Sequence, residues 1–377
     1  MVLPSAAKKA TTAANHAADT FRNPVSEEID LRVGRPRRQD GRHYNPVMDL
    51  DDAPPFSSLT PDFILDALEH AGLHPDSRLL ALNSYENRVY QAGMEEGPPL
   101  VVKFYRPKRW SDAAILEEHA FVTELVEREI PVVPALNIGG STLQSFKDAR
   151  FAVFPKQGGR APELDNRETL EWMGRFLGRI HAVGALKNFA QRPRLDILSF
   201  GEEPAEYVLQ NDFVPQELEE VYQGVVDQAL EGASQCFERA GKVANLRLHG
   251  DCHMGNVLWT DQGPHFVDFD DARMGPAVQD LWMLLSGERD DMARQLADVL
   301  TGYRRFFDLD TRELHLIEAL RTLRLIHHSG WIARRWNDPA FKAAFPWFDS
   351  PRYWQDRILE LREQIAAMEE GPLVLVN

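Results

Sequence analysis

Residues 247–259, RLHGDCHMGNVLW, place two histidines, an aspartate, a cysteine and an asparagine between apolar ends. A zinc centre could draw on four of these side chains: His249, Asp251, Cys252 and His253. They are bunched more closely than a metal-binding pair on a helix face, and the sequence holds no CxxC or HExxH partner. A nucleophilic cysteine needs a basic neighbour, whereas Cys252 has a carboxylate beside it. Both interpretations therefore fit less well than a third, the catalytic loop of a phosphoryl-transfer enzyme.

The third interpretation rests on Asp251 and Asn256, which are five residues apart, and on Asp268 twelve residues later. Asp268 ends the apolar part of the segment HFVDFDDA. Mg²⁺ prefers oxygen ligands and often binds one or two carboxylates together with substrate phosphates. We therefore predict that Asn256 and Asp268 bind Mg²⁺ and that Asp251 accepts the proton of the attacking hydroxyl.

A phosphoryl-transfer site also needs a cation for the phosphates, and Lys103 lies within the apolar run LVVKFY. The following segment, residues 111–129, is predicted to be a helix with Ser111 as its N-cap. On this helix Glu118 shares the apolar arc, and a buried carboxylate usually has a cation near it. We therefore predict an ion pair between Lys103 and Glu118. A lysine on an edge strand and a glutamate on the helix rim are the alternatives.

The segment LNSYENRVY, residues 82–90, precedes the strand with the lysine and contains no glycine. Contacts to the phosphates of ATP would therefore come from backbone N–H groups and from Ser84 and Asn87. The alternative is a plain polar hairpin turn. Further along, we predict that Asp280 accepts backbone N–H groups of the catalytic loop, the alternative being a simple cap of the apolar helix after it.

The elements that must position these residues fall into two groups. Residues 56–155 combine capped helices with strands arranged as a hairpin meander, which predicts a small β-rich N-terminal lobe that binds the nucleotide. Residues 156–377 are mainly helical and would form a larger C-terminal lobe with the catalytic loop, the Mg²⁺ site and the acceptor site. The fold class is thus α+β, with two lobes and a cleft between them. Residues 1–55 show no sustained apolar period and are predicted to be a disordered extension.

Composition excludes several classes of function. The net charge of −16 opposes general binding to nucleic acids or to anionic membranes, and no run approaches the roughly 20 apolar residues that span a bilayer. The first residues lack the apolar core of a secretory signal, and two cysteines are too few for a disulfide framework. No coiled-coil heptads are present. We therefore expect a cytoplasmic monomer without nucleic-acid or membrane partners.

Four segments carry a family resemblance: LHGDCHMGNVLW, FVDFDDARMGPAVQDLWMLLSG, LNSYENRVYQ and VVKFYRPKRW. They are similar to motifs of the aminoglycoside phosphotransferase/choline kinase superfamily and, within it, of bacterial stress-response Ser/Thr protein kinases. The resemblance spans about residues 57–370. It implies a protein-kinase-like fold, ATP and Mg²⁺, and the phosphorylation of Ser or Thr on protein substrates. The residue roles that it implies are Asp251 as proton acceptor, Asn256 and Asp268 as Mg²⁺ ligands, Ser84 at the ATP phosphates, and Lys103 with Glu118 as the lysine–glutamate pair.

The chain departs from ordinary protein kinases in three respects. It has no glycine-rich loop, Asp270 stands where the DFG motif has glycine, and no activation loop is evident before Asp280. Control by activation-loop phosphorylation is therefore not expected.

The acceptor stays open at the level of sequence. A small-molecule kinase for an amino alcohol, homoserine or an aminoglycoside fits the same motifs, because each acceptor merely presents a hydroxyl to Asp251. A nucleotide-binding pseudokinase that acts as a scaffold is disfavoured because the catalytic residues are all present. Four aromatic residues could form a box for a cation, stack bases, or simply pack the helical lobe: Trp331, Trp336, Phe345 and Trp347.

Overall fold

The computed structural model describes residues 54–375. The predicted disordered extension, residues 1–55, lies outside this part of the chain except for Pro54 and Pro55. Within residues 54–375, no helix combines the length and the apolar character needed to cross a membrane.

The N-terminal lobe is built on an antiparallel sheet. Its elements are α1 (Pro61–His70), β1 (Pro75–Leu82), β2 (Arg88–Met94), β3 (Leu100–Phe104), α2 (Asp112–Val126), β4 (Gln144–Phe146) and β5 (Ala149–Pro155). The strands lie in the order β1-β2-β3-β5-β4. The predicted meander is confirmed because β2 pairs antiparallel with both β1 and β3.

The two helices of this lobe begin where their capping residues predict. The hydroxyl of Thr60 accepts a hydrogen bond from the N–H of Phe63 at 3.2 Å, and that of Ser111 accepts one from Ala114 at 3.1 Å. Such caps satisfy N–H groups that have no partner within the first turn. On α2 the apolar arc is buried, and Glu118 is buried with it at 5% exposure. The prediction that Glu118 faces inward is thus confirmed.

The C-terminal lobe is mainly helical. Its helices are α3 (Arg167–Gly184), α4 (Glu203–Gln210), α5 (Gln216–Ala240), α6 (Val278–Trp282), α7 (Arg289–Tyr303), α8 (Ile317–Ala333), α9 (Pro339–Ala344) and α10 (Pro351–Glu369). Short strands stand between α5 and α6: β6 (Leu246–Leu248), β7 (Val257–Thr260), β8 (Gly263–Phe266) and β9 (Arg273–Gly275). β6 pairs with β9 and β7 pairs with β8.

Close packing of α3 on α7 gives this lobe its centre. A Cβ atom on Gly174 would lie 1.8 Å from the carbonyl oxygen of Val299, so only glycine lets the two helix backbones approach this closely. The apolar side chains of α3 join a buried cluster that also includes Leu248 and Cys252 beside the catalytic loop. The loop therefore packs on the lobe's buried core.

The α+β bilobal fold predicted from the sequence is confirmed by these two parts. β5 ends at Pro155, the residue at which we propose the division between the lobes, and the helical part begins with α3 at Arg167. From Asp268 to Asp280 the chain is taken up by a turn, β9 and the first half of α6, which leaves little length for an activation loop.

Candidate active site

A cavity of about 1110 Å³ is lined by residues of both lobes. All seven side chains predicted to act at the site line it: Ser84, Asn87, Lys103, Glu118, Asp251, Asn256 and Asp268. They come from strands, helices and loops that are up to 184 residues apart in sequence (268 − 84). The fold therefore gathers the predicted site in one place.

The predicted catalytic loop runs from β6 to β7, and Asp280 supports it. The carboxylate of Asp280 accepts hydrogen bonds from the backbone N–H groups of His249 at 2.8 Å and Gly250 at 2.9 Å. It also contacts the ring of His181 at 3.2 Å. The predicted support of the loop by Asp280 is confirmed. Asp280 lies inside α6, however, and not ahead of an apolar helix as predicted.

Gly250 lets the catalytic loop approach the segment with the carboxylates. Its φ is +85°, and a Cβ atom there would lie 2.2 Å from the carbonyl oxygen of Asp271. Any side chain would therefore meet both a strained backbone conformation and a direct clash. The glycine sets the spacing between Asp251 and the Asp268–Asp271 turn.

Asp251 sits among groups that keep it ionised. Its Oδ1 lies 2.6 Å from the guanidinium of Arg324, and its Oδ2 lies 3.5 Å from the ring of His253. Burial favours the neutral acid, but Arg324 and His253 outweigh burial and hold the pKa of Asp251 well below its usual range. The side chain is thus a carboxylate at neutral pH, as a proton acceptor must be. Arg324 was not singled out from the sequence because it is 73 residues away (324 − 251).

The histidines and the cysteine of the loop hold its shape. His249 contacts the carbonyl of Val267 at 2.9 Å, and the Nδ1 of His253 accepts the N–H of Gly255 at 3.0 Å. Cys252 is fully buried, and its burial raises the pKa of its thiol well above the ordinary value. Among the described residues, no group of three or more His, Cys, Asp or Glu side chains could hold a metal ion. These observations weigh against both the zinc centre and the cysteine nucleophile.

Asp268 follows β8 in a left-handed backbone conformation, with φ 58° and ψ 63°. This conformation is uncommon outside glycine, and its cost is typical of functional sites. Its Oδ1 lies 2.7 Å from the ammonium of Lys103, which is also 3.4 Å from Asp270. The half-exposed carboxylate of Asp268 and the buried lysine thus meet across the two lobes.

The predicted ion pair between Lys103 and Glu118 does not form, because Lys103 pairs with other carboxylates. Lys103 pairs with Asp268 and Asp270, and among residues 54–375 no ion pair joins it to Glu118. Burial raises the pKa of Glu118 to about 7, and the nearby Lys103 only partly opposes this. Two carboxylates that converge on the ammonium from the other lobe attract it more strongly than a half-protonated Glu118 would.

The contacts of Asn87 also differ from the prediction that its side chain binds phosphate. It is buried, its Nδ2 donates to Asp270 at 3.1 Å, and its Oδ1 accepts the N–H of Arg106 at 3.0 Å. Ser84 donates to the carbonyl of Asn87 at 3.2 Å. The amide of Asn87 therefore braces the turn of residues 83–87, while Ser84 stays at the cavity. Asp270, at the glycine position of DFG, supplies the other half of this brace.

The residues present suit a magnesium ion. The Nδ2 of Asn256 donates to the carbonyl of Asp251 at 2.9 Å. Among the described residues no donor contacts the Oδ1 of Asn256, so this oxygen is available to bind a metal ion. Asp268 adds a carboxylate that is 53% exposed. An amide oxygen and a carboxylate are hard donors of the kind that Mg²⁺ shares with phosphates and water. We propose Asn256 and Asp268 as the groups that would hold it.

An interlobe clamp, which the sequence did not reveal, joins the turn of residues 83–87 to the C-terminal lobe. Asp338 lies 3.0 Å from Arg88 and 2.6 Å from Arg106. Glu86 lies 3.0 Å from Arg106 and 2.7 Å from Arg335. We define the clamp as these five residues. Since Arg88 and Arg106 also donate to backbone carbonyls of the turn, the clamp fixes the loop beside the predicted phosphate site.

Three of the four aromatic residues considered as a binding box pack on one another, and the fourth packs on a different ring. Trp331 and Phe345 meet nearly edge to face with ring centres 5.6 Å apart, and Trp347 meets Phe345 in the same way at 5.7 Å. Trp336 packs on Phe348 and does not line the cavity. Edge-to-face pairs are ordinary core packing, and Trp331, Phe345 and Trp347 also line the cavity.

Replacing Asp280 with Asn should destabilise the protein and slow any reaction that depends on the catalytic loop. One oxygen becomes an NH₂ group that faces a backbone N–H, and a buried unsatisfied donor costs about 1–3 kcal/mol. Urea unfolding measures the loss. Asp310→Asn is the control because the carboxylate of Asp310 accepts its bonds from Arg312 within the same surface turn. Equal unfolding midpoints for wild type and Asp280→Asn would contradict the assigned support of the loop.

Comparisons with known proteins point to one family. The model of the phosphotransferase enzyme family matches residues 78–316. Stress response kinase A of Escherichia coli strain K12 is 44% identical over 320 residues, which cover 85% of this chain and 97% of that protein. The serine/threonine protein kinase RdoA of Salmonella typhimurium strain LT2 is 44% identical over 325 residues, 86% of this chain and 98% of that protein.

Solved structures share the fold at lower identity. The amicoumacin kinase hAmiN, in complex with AMP-PNP, Ca²⁺ and Ami, has a TM-score of 0.65 at 20% identity, and the match covers 84% of this chain and 95% of that chain. A microcompartment-associated aminopropanol kinase has a TM-score of 0.63 at 17% identity and covers 84% of this chain and all of its own. At these identities the likeness concerns the fold alone.

Proposed function

The chain belongs to the phosphotransferase enzyme family, and from that premise we propose that it is an ATP-dependent kinase that phosphorylates Ser or Thr on proteins during bacterial stress. The observation that carries the proposal is the convergence of Asp251, Lys103, Asn256 and Asp268 on one cavity between two lobes. The relatives at 44% identity, named stress response kinase A and RdoA, support the choice of acceptor and setting. The cytoplasmic location stays a prediction.

The acceptor half of the reaction falls to Asp251. Its carboxylate accepts the proton of the attacking hydroxyl and orients that hydroxyl toward the γ-phosphorus. Positioning supplies much of the acceleration in phosphoryl transfer, so the bonds that fix the loop contribute to the rate. Arg324 and Asn256 hold Asp251 from its two sides.

The phosphate half falls to the turn of residues 83–87 and to Lys103. Ser84 and the backbone N–H groups of the turn offer donors to the phosphates, and Lys103 offers a positive charge. Burial disfavours the charged form of Lys103, but Asp268 and Asp270 outweigh burial and raise its pKa well above the ordinary value. When bound by Asn256 and Asp268, Mg²⁺ would neutralise charge that develops on the phosphate oxygens.

Transfer of labelled γ-phosphate from Mg-ATP tests the proposal. Wild type should label a generic protein acceptor, and Lys103→Met should lower kcat/KM for ATP about 100-fold because one preorganised charge is lost. Lys242→Met, an exposed lysine after α5, is the control and should behave as wild type.

Two outcomes would contradict the proposal. Unchanged kinetics in Lys103→Met would show that this lysine does not contribute to the use of ATP. Label that reaches only amino alcohols, homoserine or aminoglycosides would replace the protein kinase with the small-molecule kinase considered from the sequence.

A further inference from the structure

Two helices of the C-terminal lobe form the side of the cavity next to Asp251. α8 presents residues at i, i+3, i+4 and i+7, which share one helix face, and all of them line the cavity: Arg324, His327, His328 and Trp331. α10 adds a second group: Arg352, Tyr353, Asp356, Arg357 and Glu360. We call these two groups the acceptor wall. Because Arg324 contacts Asp251, a hydroxyl that reaches Asp251 meets this wall.

The charges of the acceptor wall are matched one to one. Asp356 lies 2.7 Å from Arg352, and Glu360 lies 2.7 Å from Arg357. The third arginine of the wall, Arg324, lies 2.6 Å from the neighbouring carboxylate of Asp251. Among the described residues, each carboxylate that lines this side thus has an arginine as its partner. A site for a polycation would instead present carboxylates without a cation of their own.

The rest of the wall is aromatic and uncharged. His327 stacks on Phe200 with ring centres 4.3 Å apart, and His328 stacks on Trp331 at 5.7 Å. Burial, together with nearby arginines, lowers the pKa of His327 to about 3 and that of His328 well below its usual value. Both imidazoles are therefore neutral at physiological pH.

We propose that the acceptor wall selects a Ser or Thr hydroxyl in a segment whose neighbouring side chains are uncharged, aromatic or apolar. This inference rests on the proposed function and names its substrate class. A charged neighbour of either sign would lose water of hydration at a wall whose own charges are already paired, and that loss is costly. Aromatic rings and neutral imidazoles instead favour apolar and aromatic contacts.

The reaction at this wall balances without a further reactant. The acceptor oxygen forms a bond to the γ-phosphorus while the bond between that phosphorus and the oxygen bridging to the β-phosphate breaks. ADP leaves with the electron pair, and the hydroxyl proton passes to the carboxylate of Asp251. The wall contributes affinity for the segment that carries the hydroxyl.

A set of single-serine peptides tests the inference with wild-type enzyme and labelled Mg-ATP. The peptides carry Phe or Leu, Arg or Lys, or Asp or Glu beside the serine, and choline and an aminoglycoside serve as cationic small acceptors. We expect kcat/KM for the uncharged peptides to exceed that for either charged set by about tenfold or more. Equal or better use of a charged peptide would overturn the inference while leaving a protein kinase. Label on the small acceptors alone, or absence of transfer to every acceptor, would overturn the proposed function as well.

A gain-of-function variant tests the charge matching directly. Arg352 is 79% exposed, so Arg352→Ala should fold normally and leave Asp356 without its arginine. We expect KM for the Arg- and Lys-flanked peptides to fall about fivefold, the value of one partly exposed ion pair. The double variant Arg352→Ala/Asp356→Ala restores neutrality and should return KM to that of wild type. An unchanged KM in Arg352→Ala would show that charge matching is not what makes the enzyme prefer uncharged peptides.

Discussion

Asp251→Asn should lower phosphoryl transfer about 1000-fold while leaving the affinity for Mg-ATP within about twofold of wild type. The amide has the shape of the carboxylate but cannot accept the proton of the attacking hydroxyl, and general-base catalysis contributes factors of this order. Single-turnover transfer of labelled phosphate measures the rate, and binding of a non-hydrolysable ATP analogue measures the affinity.

Asp261→Asn provides the matched control for this variant. Asp261 is an exposed aspartate in the turn between β7 and β8, ten residues from Asp251. It should transfer phosphate at the rate of wild type. If Asp251→Asn kept more than about a tenth of the wild-type rate, Asp251 would not be the proton acceptor, and the mechanism would need another base.

Asp338→Ala should destabilise the protein by about 3 kcal/mol, because the half-buried Arg88 loses its carboxylate and the buried Arg106 keeps, among the described residues, only Glu86 as a carboxylate partner. Removing one partner of a buried pair is costly since the remaining charge stays desolvated. Both arginines also hold carbonyls of the turn of residues 83–87. We therefore expect faster amide hydrogen exchange in that turn and weaker binding of ATP. Urea unfolding and exchange detected by mass spectrometry provide the two measurements.

Asp310→Ala separates the interlobe clamp from ordinary helix capping. Asp310 and Asp338 each cap a helical turn and each pair with arginine, but the side chain of Asp310 pairs with Arg312, two residues away at the surface. Its replacement should cost less stability and leave exchange in residues 83–87 unchanged. Similar exchange in the two variants would mean that the clamp does not govern the turn of residues 83–87.

The local features of this chain were readable from its sequence. Caps at Thr60 and Ser111, the alternation of strand formers, and the apolar arc around Glu118 depend on residues within a few positions of one another. The same holds for the spacing of Asp251 and Asn256 and for the strand that ends before Asp268. The family motifs added the expectation that these segments meet.

The contacts across the lobes were not readable in this way. Lys103 was predicted to pair with Glu118 on the next helix along the chain, but it pairs with Asp268 and Asp270, 165 and 167 residues away (268 − 103 and 270 − 103). Asn87 was predicted to meet phosphates, but its amide braces Asp270. A buried polar group takes the partner that the packed lobes bring nearest, and burial shifts the charge of competitors such as Glu118.

The sequence alone thus determined the element types, the α+β bilobal plan and the family, because each depends on local pattern or on motif spacing. It also predicted a set of side chains for phosphate transfer, which the fold brings to one cavity. The tertiary structure decided which of these side chains contact one another, that Arg324 holds Asp251, that Asp338 clamps the turn of residues 83–87, and that the acceptor wall is charge-matched. Those properties depend on the close approach in space of residues that lie far apart in the chain. Hydrogen bonds form only at short donor–acceptor distances, and the energy of an ion pair falls as its two charges separate.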